Sequence, residues 1–140
     1  MITRGAGKPV EILLVEDNPD DVTLTQEALD AGKVSNNLSV AWDGVEALQY
    51  LNREGPYADA PEPDIILLDL NLPKKDGREV LAEIKSDERL KHIPVVVLTT
   101  SQAEQDIIST YDIGANSFIT KPVSFEGLVE AVKSLTNYWI

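Results

Sequence analysis

Residues 63–77 read PDIILLDLNLPKKDG. Within them Ile65, Ile66, Leu67 and Leu68 form an unbroken apolar run, closed by Pro on one side and by Asp and Gly turn signals on the other. A run of this length reads as a strand buried on both faces, as at the centre of a parallel sheet. Asp69 follows at once and takes the carboxyl end of that strand. An aspartate at a strand end also starts turns, because its side chain bonds nearby backbone amides. The rest of the chain decides between a turn and a working carboxylate.

Four more short apolar runs, at 12–15, 38–41, 95–98 and 117–120, read as strands, and amphipathic stretches alternate with them. Asn18-Pro19 is a cap residue followed by proline at the first helical position. A second helix follows Asp43 with Val45, Leu48 and Leu51 on one side, and a third carries Val80, Leu81 and Ile84 on its inner face. A fourth begins at the capping-box pattern of Ser101 and Glu104. A fifth runs from about Phe125, with Leu128, Val129, Val132, Leu135 and Trp139 at helical spacing. The connection 52–63 is a polar loop rich in Pro and Gly. This alternation predicts right-handed crossovers and a doubly wound α/β sheet covered on both sides.

The 140 residues suffice for one domain with its own core. Twelve basic against 24 acidic residues give a formal charge of −12, which disfavours nucleic acid and anionic membrane surfaces as partners. There is no cysteine, so thiol catalysis and disulfides are excluded. No apolar leader or stretch of membrane-spanning length occurs, and a cytoplasmic protein is expected. Residues 1–9 are expected as a flexible tail ahead of a domain spanning 10–140, with no effector domain after it.

In such sheets ligands sit beyond the carboxyl ends of the strands, where the strand order reverses. With the order 2-1-3-4-5, the first and third strands deliver Glu16, Asp17 and Asp69 to one spot. Three carboxylates together need a cation or a proton, and an all-oxygen set suits Mg²⁺ or Mn²⁺ rather than zinc. The fourth strand adds Thr99, Thr100 and Ser101 to the same rim, and the fifth adds Lys121. Metal and lysine can orient a phosphoryl group while an in-line carboxylate accepts it. Singly, Lys121 reads as a surface lysine, Thr99 as a strand end and Glu16-Asp17 as helix-start acids. Their convergence from separate strand ends favours function for Asp69.

The motifs LLVEDN, IILLDLNLPKKDG, PVVVLTTS and ITKP, in this order, resemble the receiver domain of two-component response regulators from Val10 onward. The stretches LLDLNLPKKDGREVLAEIK, IPVVVLTTS and the terminal YWI resemble, more narrowly, the small regulators that partner bacterial phytochromes. The resemblance implies a flavodoxin-like (βα)5 fold in which Asp69 accepts a phosphoryl group from a sensor histidine kinase, here a bacteriophytochrome. It assigns Mg²⁺ to Glu16, Asp17, Asp69 and the carbonyl of Asn71, and phosphoryl oxygens to Thr99 and Lys121. Phe118 matches the switch aromatic and Lys121-Pro122 a cis peptide, and Asn71 and Ser101, beside the attack path, are expected to tune the phosphate lifetime. Glu16 stands where many receivers carry Asp, and Phe118 where Tyr is commoner.

Output is then a protein contact or onward phosphotransfer. The resemblance further implies a homodimer through the fourth helix, fifth strand and fifth helix, with Tyr111, Tyr138 and Trp139 on that surface; the terminal aromatics equally fit the last turn of a packed helix. His92 reads as a solvated loop residue, Trp42 as packed at a strand end, and Lys74-Lys75 as facing solvent. Three other readings are weighed. An aspartyl phosphatase would need a second acid where Asn71 stands. A flavin-phosphate binder would place EDNPDD against its own anion. A receiver-like adaptor that works without phosphorylation would not need the acids and lysine intact.

Overall fold

The computed structural model describes residues 9–32, 35–100 and 117–133. Its strands are β1 (Val10–Val15), β2 (Asn36–Ala41), β3 (Ile65–Asp69), β4 (Val95–Thr99) and β5 (Ser117–Thr120). They pair in parallel in the order β2-β1-β3-β4-β5, the order taken for the doubly wound sheet and implied by the receiver resemblance. The helices are α1 (Pro19–Ala31), α2 (Gly44–Leu51), α3 (Gly77–Ser86) and a C-terminal helix, Phe125–Lys133. The fourth helix expected from Ser101, the residues Tyr111, Tyr138 and Trp139, and nearly all of the expected tail lie outside the described residues.

Position in the sheet explains strand composition. Every residue of the central strands β3 and β4 is buried, whereas the edge strands β2 and β5 are largely half-buried. Alternate side chains feed two cores, as the two-residue period of a strand requires. Leu13, Val15, Ile66, Leu68, Val95 and Val97 meet Leu51 of α2 and Val80, Leu81 and Ile84 of α3. Ile12, Leu14, Ile65, Leu67, Val96 and Leu98 meet Ala28 and Leu29 of α1 and Leu128 of the C-terminal helix. Each fully buried aliphatic side chain contributes about 1.5–3 kcal/mol.

Helix starts are fixed by local chemistry. Asn18 Oδ1 accepts from the N–H groups of Asp20 and Asp21, at 2.8 and 3.4 Å, with Pro19 in the first turn. Asp43 caps α2 by accepting from Glu46 N–H at 2.7 Å, and Asp76 caps α3 by accepting from Arg78 N–H at 2.8 Å. These contacts satisfy donors that have no partner within the helix.

Three sequence expectations need correction. Val45 is exposed, and the buried residues of α2 are Gly44, Ala47, Tyr50 and Leu51. A Cβ on Gly44 would strike the Lys75 carbonyl, so this close approach sets the rotation of α2 and turns Val45 outward. Trp42 is 42% exposed rather than packed, because it lies just past β2 at the sheet edge. The connection 52–63 contains a short 3₁₀ turn at Gly55–Tyr57.

Candidate functional site

Strand register assembles the rim. Val15 pairs with Leu68, so Glu16 and Asp69 emerge side by side. Thr99 pairs with Thr120, and Lys121, one residue on, donates its backbone N–H to the Thr99 carbonyl at 2.8 Å. The Lys121-Pro122 peptide is cis, as the family resemblance implies.

At the centre stands the Lys121 ammonium. Its Nζ lies 2.7 Å from Glu16 Oε1, 3.0 Å from Asp69 Oδ2 and 3.1 Å from Asp21 Oδ2. Glu16, Asp69 and Thr99 are buried, while Asp17 is exposed. Carboxylate oxygens of Glu16, Asp17 and Asp69 all lie within 4.8 Å of one another. Such a set, oxygen-only with one open side, fits a hard divalent cation. Asp69 Oδ1 also accepts the Asn71 N–H at 3.1 Å, which fixes the carboxylate at the start of the β3–α3 loop. That loop is held close to the strand: a Cβ on Gly77 would strike the Asp69 carbonyl, and Gly77 N–H donates to the Leu70 carbonyl at 3.0 Å.

Electrostatics follow from this crowding. Burial, then contact with Asp69, raises the Glu16 carboxyl to about 7 despite the opposing Lys121. Burial acts to lower the Lys121 ammonium, but hydrogen bonds to Glu16, Asp69 and Asp21 outweigh it and hold it raised. The rim thus pairs an ammonium held in its charged form with a carboxyl that binds its proton more tightly than it would in water.

Of the residues singled out by sequence, Glu16, Asp17, Asp69 and Lys121 converge, Asn71 adjoins them through its backbone, and Thr99 ends the adjacent strand. Phe118 stands apart, half-buried on β5 against the core shared with α2 and α3. Ser101 lies outside the described residues. Lys74 pairs with Asp43 at 3.4 Å while remaining 68% exposed, and Lys75 pairs with Glu83 at 2.9 Å. His92 is exposed, as expected, and lies 3.3 Å from Glu62. Asp21 escaped sequence analysis because an acid in a first helical turn is ordinary. The placement of α1 directly above the carboxyl end of β1 was the signal that could have found it.

Among the described residues no helix is long and apolar enough to cross a membrane. Comparison with known proteins agrees with the geometry. The family model described as "Response regulator receiver domain" matches residues 12–133. Response regulator Rcp1 of Synechocystis sp. is 47% identical over 132 residues, covering 94% of this chain and 90% of its own. A solved Mn²⁺-bound form of response regulator Rcp1 superposes with a TM-score of 0.74 at 49% identity, covering 89% of this chain and 90% of that one. The bacteriophytochrome response regulator AtBRR gives 0.89 at 47% identity, covering 95% and 96%. The phosphorylated cyanobacterial phytochrome response regulator RcpA gives 0.76 at 54% identity, covering 94% of each. With a family match across nearly the whole chain and relatives of this closeness, the protein belongs to the response regulator receiver domain family, alongside the phytochrome response regulators.

Proposed function

We propose that this chain receives a phosphoryl group on Asp69 from the phosphohistidine of a sensor histidine kinase of the phytochrome kind. The observation that carries the reading is the Lys121 ammonium bridging Asp69 Oδ2 and Glu16 Oε1 at 3.0 and 2.7 Å, beside exposed Asp17. Receiver domains are phosphoacceptors, and RcpA is a relative solved in phosphorylated form.

An Asp69 carboxylate oxygen attacks phosphorus in line as the P–N bond to the donor imidazole breaks, and the departing ring nitrogen keeps the bonding pair and takes a proton from water. Lys121 balances the charge on the transferring group, and the Thr99 hydroxyl donates to a phosphoryl oxygen. Glu16, Asp17, Asp69 and the Asn71 carbonyl would hold Mg²⁺, for which the Mn²⁺-bound Rcp1 offers a precedent in a relative. When bound, the ion would supply charge neutralisation to the transferring group. Water later hydrolyses the acyl phosphate, with Asn71 and Ser101 setting its lifetime, so the chain catalyses its own phosphorylation and dephosphorylation.

Drawn toward the new phosphoryl oxygens, the Thr99 hydroxyl leaves space for Phe118 to turn further inward, which shifts the population toward an output surface that includes β5 and the C-terminal helix. That surface serves protein output, homodimer formation or phosphorelay in the cytoplasm.

The test is incubation with Mg²⁺ and acetyl phosphate followed by intact-mass measurement. Wild type should gain one phosphoryl group only with the metal, and Asp69→Asn should gain none. A wild-type protein that stays unmodified with both acetyl phosphate and a phytochrome kinase would favour a phosphorylation-independent adaptor.

A further inference from the structure

Lys121 has three carboxylate partners, and they are not equivalent. Glu16 and Asp69 belong to the acidic group that can hold a metal ion, whereas Asp21 does not. A cation drawn between Glu16, Asp17 and Asp69 competes with the ammonium for two of its three partners. Asp21 is then the carboxylate left to hold it.

Asp21 is well placed for this. It sits in the first turn of α1, its backbone N–H bound by the Asn18 cap at 3.4 Å and its carbonyl accepting the buried Thr25 hydroxyl at 2.9 Å. Both ends of the residue are thus fixed, and the carboxylate lies 3.1 Å from Lys121 Nζ without belonging to the group that can hold a metal ion. The Asp21 and Lys121 side chains are 27% and 16% exposed, so water competes weakly for the pair. A four-carbon lysine stem otherwise has many rotamers.

We propose that Asp21 is a positioning residue that tethers the Lys121 ammonium beside Asp69 Oδ2 once the metal site fills. This deepens the phosphotransfer reading and rests on it. Asp21 touches no reacting atom; it acts by keeping Lys121 where an incoming phosphoryl group meets it. Misplacement of such a charge costs rate rather than donor binding.

The test compares Asp21→Ala, Asp21→Asn and Asp20→Ala with wild type, all in Mg²⁺. Asp21→Asn keeps an acceptor oxygen without the charge. Asp20→Ala removes the neighbouring first-turn acid, which is exposed and is not among the carboxylates paired with Lys121. The first readout is the ¹⁵N resonance of the Lys121 ammonium and its hydrogen-exchange rate, which requires no phosphorylation. The second is the phosphorylation rate as a function of acetyl phosphate concentration.

Asp21→Ala should lose the protected ammonium signal and lower the rate at saturating donor by roughly tenfold, with the half-saturating concentration unchanged. Asp21→Asn should stay within about threefold of wild type, and Asp20→Ala should match it. An ordered ammonium and a wild-type rate in Asp21→Ala overturn the proposal. So does equal loss in Asp20→Ala, which would indicate a general helix effect, or faster transfer in both Asp21 variants, which would make Asp21 an electrostatic brake. If wild type accepts no phosphoryl group, the phosphotransfer reading fails, while the ammonium signal still decides whether the tether exists.

Discussion

The protein places charge pairs of the same chemistry in two settings. Around the α3–β4 connection, Lys91 pairs with Glu88 at 2.9 Å and Arg89 with Asp87 at 3.1 Å, and the Lys91, Glu88 and Arg89 side chains are each at least half exposed. At the carboxyl end of the sheet, Lys121 holds Glu16, Asp21 and Asp69 at similar distances, but Glu16 and Asp69 are almost fully buried. Distance is therefore uninformative by itself. Solvent screens the first set to near irrelevance, while burial makes the second set strained when incomplete and responsive to added charge.

The sharpest break of this comparison is Lys121→Met. Removing the ammonium leaves buried carboxylates uncompensated, and the metal-free protein at pH 8 should lose about 3–5 kcal/mol in urea unfolding. A loss under about 1 kcal/mol would place the rim electrostatically with the surface pairs.

Next comes pH. The folded-state Glu16 carboxyl is raised to about 7 from the ordinary 4.5. A raised carboxyl binds its proton more tightly when folded, so its stabilisation is complete below about 4.5 and is lost as pH climbs to about 7. The loss is on the order of 3 kcal/mol. It should be visible as the difference between wild type and Glu16→Gln in EDTA. Mg²⁺ at about a hundred times its dissociation constant should recover about 2.7 kcal/mol. Parallel pH profiles for the two proteins in EDTA would refute the assignment of the effect to Glu16.

The smallest effect belongs to the surface. Truncating Lys91 and Glu88 singly and together should give a coupling of about 0.5 kcal/mol or less, vanishing in high salt. A double-mutant cycle that returned several times this value would remove the contrast between the two regions.

What was legible in the sequence tracks the same division between centre and edge. The strand at 65–68 declared itself because both of its faces are buried, leaving no polar position to blur the run, and strand order then carried Glu16, Asp69 and Lys121 to one rim. Val45 was misread because α2 has only eight residues, too few for periodicity to fix its phase. The phase is set by a glycine contact with Lys75, two elements away. Trp42 was misread because aromatic character does not reveal a sheet edge. Asp21 was missed for a related reason: its partner lies 100 residues along the chain, and only the stacking of α1 over the β1 end brings them together. Local pattern revealed elements and rim, whereas partners made by packing required coordinates.

The proposed phosphotransfer singles out Asp69, one of 24 acidic residues, as the carboxylate that accepts the phosphoryl group. Borohydride converts an acyl phosphate of aspartate to homoserine, which tandem mass spectrometry can locate after acetyl phosphate and Mg²⁺ treatment. Homoserine at position 69 alone, absent when Mg²⁺ is withheld, is the predicted result. Conversion at another carboxylate, or at several exposed ones alike, would contradict it.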